Sequence, residues 1–135
     1  MSDDRLERFR RAIDVPLLRF LGVGALDNDD PAAGLSFVTG PESLNAAGAL
    51  HGGVIASVLD VVAYSALLAH LHDDEAAATI AFSASYLAGA KAGTRIEAHA
   101  TVLRRSGRLA FVAAELRADT GLLATALITK SIRRR

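Results

Sequence analysis

The sequence predicts an α+β fold, a six-stranded antiparallel sheet curled around one long, buried helix. Three observations lead there. The only charged residue in the apolar stretch 54–69 is Asp60, and the stretch is long enough for about four helical turns. From Thr79 onward the apolar period changes from helical to two, in four segments separated by loops or tight turns. Before the helix, two shorter extended segments flank the turn signal Asn28-Asp29-Asp30-Pro31. Strands joined by short turns run antiparallel. A sheet of that size wrapped around an apolar helix would bury it.

In chain order, residues 2–13 read as a polar, amphipathic helix. Asp3 and Asp4 lie in its first turn, where the helix dipole favours negative charge, and Leu6, Phe9 and Ile13 share one face. Pro16 interrupts and 17–21 make a short helical turn, so 1–20 is an N-terminal helical segment. Residues 22–27 and 33–39 form a hairpin closed by Gly40-Pro41. A loop with Asn45 and Gly48 leads to His51-Gly52-Gly53, which opens a helix from about Gly52 to Leu71 within a central helical stretch 51–72. After a connector, 79–87 alternates, with Ile80, Phe82, Ala84 and Tyr86 on one face and Thr79, Ala81, Ser83 and Ser85 on the other. A loop at 89–93 precedes 94–103, where Ile96, Ala98, Ala100 and Val102 oppose Arg95, Glu97, His99 and Thr101. Ser106-Gly107 turns the chain into 109–118, and Asp119-Thr120-Gly121 turns it into 122–132.

Composition narrows the function. A chain of 135 residues reads as a single domain, 1–135, and at 51% hydrophobic it has ample material for a core. Lys plus Arg equals Asp plus Glu at 15 each, without the basic excess of a nucleic-acid binder. With no cysteine, disulfides, thiolate nucleophiles and Cys-based metal sites are excluded, and the absence fits a cytoplasmic location. The N-terminal MSDDRLERFRR is too charged for a signal peptide. Residues 52–69 are about long enough to span a membrane, but Asp60 sits mid-span, so no membrane association is expected. His70 and His72, two apart on a helix, point to different faces, and no metal site is expected there.

Asp60 is the first candidate. A carboxylate in a helix that is apolar on all sides is costly unless it is paired or put to use. It is either a reactive group or a structural acid bonded to a neighbour. Ala56, Ser57, Ala63 and Tyr64, three or four residues away, share its face, and three of them are small enough to leave room for a substrate. Ser57 and Tyr64 are therefore candidate substrate contacts. Gly52 and Gly53 are the next candidates. N–H groups at a helix start are unpaired and sit at its positive end, where they can stabilise an oxyanion. The alternative is a tight turn with no ligand. His51 can act as an acid, orient the loop or simply hold the turn. Arg104, Arg105 and Arg108 cluster around one turn, as anion ligands or as a solvated hairpin tip.

This layout, with His-Gly-Gly opening the central helix, resembles the hotdog fold. The motif is similar to that of acyl-CoA thioesterases of the phenylacetic-acid-degradation (PaaI-like) type. It comprises Asn45, Gly48, His51-Gly52-Gly53 and then Asp60, nine positions after the His. Downstream, Thr79, Tyr86 and Gly93 match in TIAFSASYLAGAKAG, although Gly89 stands in a loop where the family often has Pro. The resemblance covers roughly 21–132. It implies hydrolysis of an acyl-CoA, aromatic or medium-chain, to a free acid and CoA, with no cofactor beyond the CoA of the substrate. Asp60 would be base or nucleophile, and Gly52 rather than Gly53 the oxyanion donor. Asn45 and His51 would position the substrate, Thr79 would orient water, and Arg104 and Arg105 would meet the CoA phosphates. Read without the resemblance, Asn45 is equally a loop residue bonding its own backbone and Thr79 an ordinary strand residue.

The resemblance further implies a homo-oligomer, dimer or homotetramer, with the active site shared between subunits. Nine helical positions span roughly 13 Å, so one copy of the helix does not easily bring both of its ends to one carbonyl. Two rivals share the fold: a hydroxyacyl-thioester dehydratase, which needs a His–acid pair across one site, and a non-catalytic acyl-CoA-binding protein.

Overall fold

In the computed structural model, which describes residues 2–135, six strands form one antiparallel sheet in the order β1-β2-β4-β5-β6-β3. The elements are α1 (Asp3–Ile13), α2 (Pro16–Leu21), β1 (Gly24–Ala25), β2 (Leu35–Val38), α3 (Gly52–Leu67), β3 (Glu75–Tyr86), β4 (Arg95–Arg105), β5 (Leu109–Ala118) and β6 (Gly121–Arg134). This is the expected α+β hotdog architecture, with α3 lying across the inner face of the sheet. Ser2 caps α1, its Oγ accepting from the Arg5 N–H at 3.4 Å, and Phe9 on the apolar face of α1 is fully buried.

The alternation of the strands explains how α3 seats. Ala100, Ala114, Ala126 and Ala84 are successive partners across β4, β5, β6 and β3. This row of small side chains is a low floor on which the helix rests. Ile55, Val58, Leu59, Val62, Ala63, Ala66 and Leu67 of α3 are buried there, with Leu35, Phe37, Ile96, Val112, Leu116 and Ile128 from the sheet. Removing such side chains from water contributes about 1.5–3 kcal/mol for each large one. Gly52–His70 has the length and apolarity of a membrane span, and half of it is buried inside the protein.

The structure departs from expectation at five places. First, α3 ends at Leu67 and continues as one 3₁₀ turn, Leu68–His70, rather than running to Leu71. Second, the early hairpin is shorter than expected, because β1 pairs over only two residues. Third, β3 starts at Glu75, since β6 runs on to Arg134 and pairs with 75–78, which read as a connector. Fourth, β3 carries a bulge between Thr79 and Ala81. The extra residue, Ile80, shifts the phase, so Thr79 faces α3 together with Ala84 and Tyr86 instead of opposite them. Fifth, α3 is not buried on all sides. Gly53 is exposed, and Ser57, Asp60, Val61 and Tyr64 along the same side are only partly covered. Ala63, by contrast, is sealed in the core and takes no part in the open side.

Candidate active site

Two clusters of polar groups lie along α3. The first is at its start. His51 has extended backbone and acts as the N-cap, its Nδ1 accepting from the Gly53 N–H at 2.8 Å. An accepting Nδ1 leaves the ring proton on Nε2. The imidazole folds back so closely that a Cβ on Gly53 would lie 3.1 Å from Nδ1 and press the ring outward. The Gly53 N–H is thus occupied, whereas that of Gly52 has no partner among the described residues. A Cβ on Gly52 would meet only the Tyr86 ring, at 3.7 Å. Tyr86 donates its hydroxyl to the Gly52 carbonyl at 3.2 Å, tying β3 to the helix start.

Asn45 stands beside this cluster at the base of a tight loop. Its Oδ1 accepts from the N–H groups of Ala47 at 2.9 Å and Ala49 at 3.1 Å. Its backbone N–H donates to the Ala49 carbonyl at 2.7 Å, and Gly48 takes the positive φ of 77° that closes the turn. The amide oxygen is therefore engaged in the loop, leaving the NH₂ for a ligand. Leu50 is held to the 87–94 loop through its N–H on the Ala90 carbonyl at 2.8 Å.

The second cluster is eight residues along α3, about 12 Å from the first by helical rise. Asp60 is not the sealed carboxylate that the apolar helix suggested. Its side chain is 42% exposed, because α3 covers the sheet with one side only. Its Oδ1 accepts from the Thr79 hydroxyl at 2.6 Å and from Lys130 Nζ at 3.0 Å. Asp60, Val61, Tyr64, Ala77, Ala78, Thr79, Lys130 and Ala12 of α1 line a cavity of about 280 Å³. The apolar members are mostly small, and the one carboxylate is at the wall. A larger trough of about 460 Å³ lies on the outer sheet face, with Ser85, Thr125, Glu115 and His99 in one row across it. It touches neither cluster.

The remaining candidates fall outside these clusters or are engaged elsewhere. Ser57 Oγ donates back to the Gly53 carbonyl at 2.8 Å, one turn earlier. Arg105 is not a free anion ligand. Its Nη2 is 2.6 Å from Glu75 Oε1, and its Nη1 donates to the His70 carbonyl, joining β4 to the end of the helix. Glu75 also accepts from the His72 N–H at 2.8 Å. The Arg105 hydrogen bond first, then that of His72, lower its pKa to about 2. Arg104 remains exposed on β4.

Sequence reasoning missed Lys130. Its side chain is only 4% exposed, yet it carries a charge. The signal was there: Ala124, Ala126, Ile128, Lys130 and Ile132 share one phase of β6, and all but the lysine are apolar. A cation in the inward phase of a strand needs a partner inside.

A family model described as "Thioesterase superfamily" matches residues 47–125, which takes in His51, Gly52, Asp60 and Thr79 and stops short of Lys130. No curated protein matches the chain. Among solved structures, it is similar to a phenylacetic acid degradation-related protein from Ralstonia eutropha. They are 28% identical over 96% of this chain and 99% of the other, with a TM-score of 0.78. It is also similar to a thioesterase from Haemophilus influenzae (18% identity, 96% and 90% coverage, TM-score 0.81). A third is a Bacillus halodurans protein solved with CoA (20% identity, 97% and 84% coverage, TM-score 0.80). At those identities the last two speak for the fold alone.

Proposed function

The chain belongs to the thioesterase superfamily and is a thioester hydrolase of hotdog fold, and on that premise we propose that it cleaves an acyl-CoA to the free acid and coenzyme A. The observation that carries this reading is the half-open Asp60 carboxylate. One oxygen is anchored by Thr79 and Lys130, and the other is unbonded among the described residues, at the wall of an apolar-lined cavity. The same fold accommodates CoA in the Bacillus halodurans protein, which is consistent with a CoA thioester as substrate here.

In this mechanism Asp60 takes a proton from water, and the resulting hydroxide attacks the thioester carbonyl carbon. The electron pair of the C=O moves to oxygen, and a free helix-start N–H, that of Gly52, stabilises the charge; such a donor is worth about 3 kcal/mol of barrier. The intermediate collapses with cleavage of the C–S bond. The proton held by Asp60 passes to the departing sulfur, giving free acid and CoA thiol. Water is the only co-reactant. Ala12, Val61, Tyr64, Ala77 and Ala78 would hold the start of the acyl group.

Reach decides where the oxyanion donor comes from. Both groups must lie within hydrogen-bond distance of one reacting centre, and about 12 Å separates them within a chain. A second copy resolves this. β3 is a twelve-residue edge strand with Ile80 and Tyr86 more than half exposed, as is Leu87 just beyond it, and an unpaired edge of that length invites pairing. A two-fold axis beside the open side of α3 sets the start of one helix against the Asp60 region of its partner. His51 and Asn45 then position substrate from the partner's side.

Thiol release from a panel of acyl-CoA substrates, aromatic and medium-chain, tests the reading with wild type and Asp60→Asn. The expected outcome is a loss of kcat of about a hundredfold or more, with KM little changed. Normal hydrolysis by Asp60→Asn sinks the mechanism. Binding of CoA esters without cleavage by wild type favours a binding protein instead.

A further inference from the structure

We propose that Lys130 is a positioning residue that decides which oxygen of Asp60 faces the substrate. The inference rests on the reading of Asp60 as the reactive carboxylate.

The ammonium has three protons to donate, and the structure gives each a destination. Nζ lies 2.6 Å from Thr79 Oγ1, 3.0 Å from Asp60 Oδ1 and 3.4 Å from the Asp60 carbonyl oxygen. Thr79 accepts from Lys130 with its oxygen and donates its single proton to Asp60 Oδ1 at 2.6 Å. The three groups close a ring of hydrogen bonds drawn from β6, β3 and α3. Oδ1 receives two of them, whereas Oδ2 receives none among the described residues.

A carboxylate held at one oxygen by two donors from different strands cannot swing without breaking both bonds. Oδ2 is then the oxygen presented to the cavity, in a fixed direction. The arrangement also assigns Thr79 a part different from the one its resemblance implied. Its proton is committed to Asp60, so it has none to donate to water; it relays the anchor. The lysine is rigid because its side chain is almost wholly buried between strand neighbours Ile128 and Ile132. Orientation of this kind matters steeply, since displacing a catalytic group by about 1 Å can cost a hundredfold in rate.

Lys130→Met keeps the buried length of the side chain and removes the cation. It leaves a half-exposed carboxylate that water can solvate, so folding is expected to survive, with the melting curve as the check. The result expected is a fall in kcat on the order of ten- to a hundredfold with KM within about threefold, since only the reactive geometry is disturbed. In the Asp60→Asn background the same substitution should change kcat by less than about twofold, because a residue acting through Asp60 has nothing left to position. A second variant, Lys130→Ala, should regain kcat as ethylammonium is added to fill the vacated cation position.

Three results would overturn the proposal: wild-type kcat in Lys130→Met while Asp60→Asn is inactive, an undiminished effect in the Asp60→Asn background, or ethylammonium that raises the melting temperature of Lys130→Ala without raising kcat. Wild-type activity in Asp60→Asn is a different outcome, and it sinks the parent reading instead.

Discussion

Single residues in this protein are understood by what their polar atoms are bonded to. Gly52 and Gly53 are adjacent and chemically identical, yet one N–H is capped by His51 and the other has no partner among the described residues. Glu75 is equally specific. The guanidinium of Arg105, then the His72 N–H, hold its carboxyl well below the usual range, at about 2 instead of 4.5. A carboxyl depressed in the folded state stabilises the fold above its unfolded value, and that stability is lost as pH falls through the folded one. Wild type should therefore be more stable than Glu75→Gln at pH 6, and the difference should shrink as pH drops from about 4.5 toward 2. Urea unfolding of the two proteins across that range checks it, and a constant difference would contradict the pairing.

The elements show how much was legible beforehand and why the rest was not. The long apolar run foretold α3, and period two foretold β4, β5 and most of β6, because burial against one partner writes itself into spacing. The start of β3 was hidden, since Glu75-Ala76-Ala77-Ala78 has no alternation of its own and becomes a strand only by pairing with 131–134. The bulge at Ile80 was hidden for the same reason. A strict alternation puts Thr79 and Tyr86 on opposite faces, and only the extra residue brings both to α3. The uncovered side of the helix was also invisible, because Val54 and Val61 read as core residues yet are only partly covered in the fold. A contrast follows. Leu59→Ala, at a fully buried position, should destabilise the fold by about 2–5 kcal/mol. Ser57→Ala, on the partly covered side, should change stability by less than about 1 kcal/mol. Thermal and urea melting of both variants measures it, and equal effects would mean α3 is covered all round.

At the scale of the molecule, the proposed reading divides the site into two halves within each chain. Asp60, Thr79 and Lys130 are bonded to one another, Asn45 and His51 each bond within their own turns, and the length of α3 between Gly52 and Asp60 keeps the two groups apart. The sequence motif placed His51, Gly52 and Asp60 on one helix, but what Asp60 touches needed the fold, and Lys130 could be reached only through its misplaced phase in β6. The unpaired edge of β3 and the open side of α3 are contiguous with both halves, and a second copy would complete them. Subunit mixing tests this most directly. On the shared-site reading, Asp60→Asn and Asn45→Ala should each be inactive when paired only with copies of themselves. In a mixed dimer, the Asp60 of the Asn45→Ala chain meets the intact Asn45 loop of the Asp60→Asn chain, so one of the two sites is whole. We predict that thiol release from acyl-CoA, near background for either variant alone, rises toward half the wild-type rate per mixed dimer once subunits exchange. Activity that stays at background after exchange, with mixed dimers demonstrated by mass, would contradict a site shared between two chains.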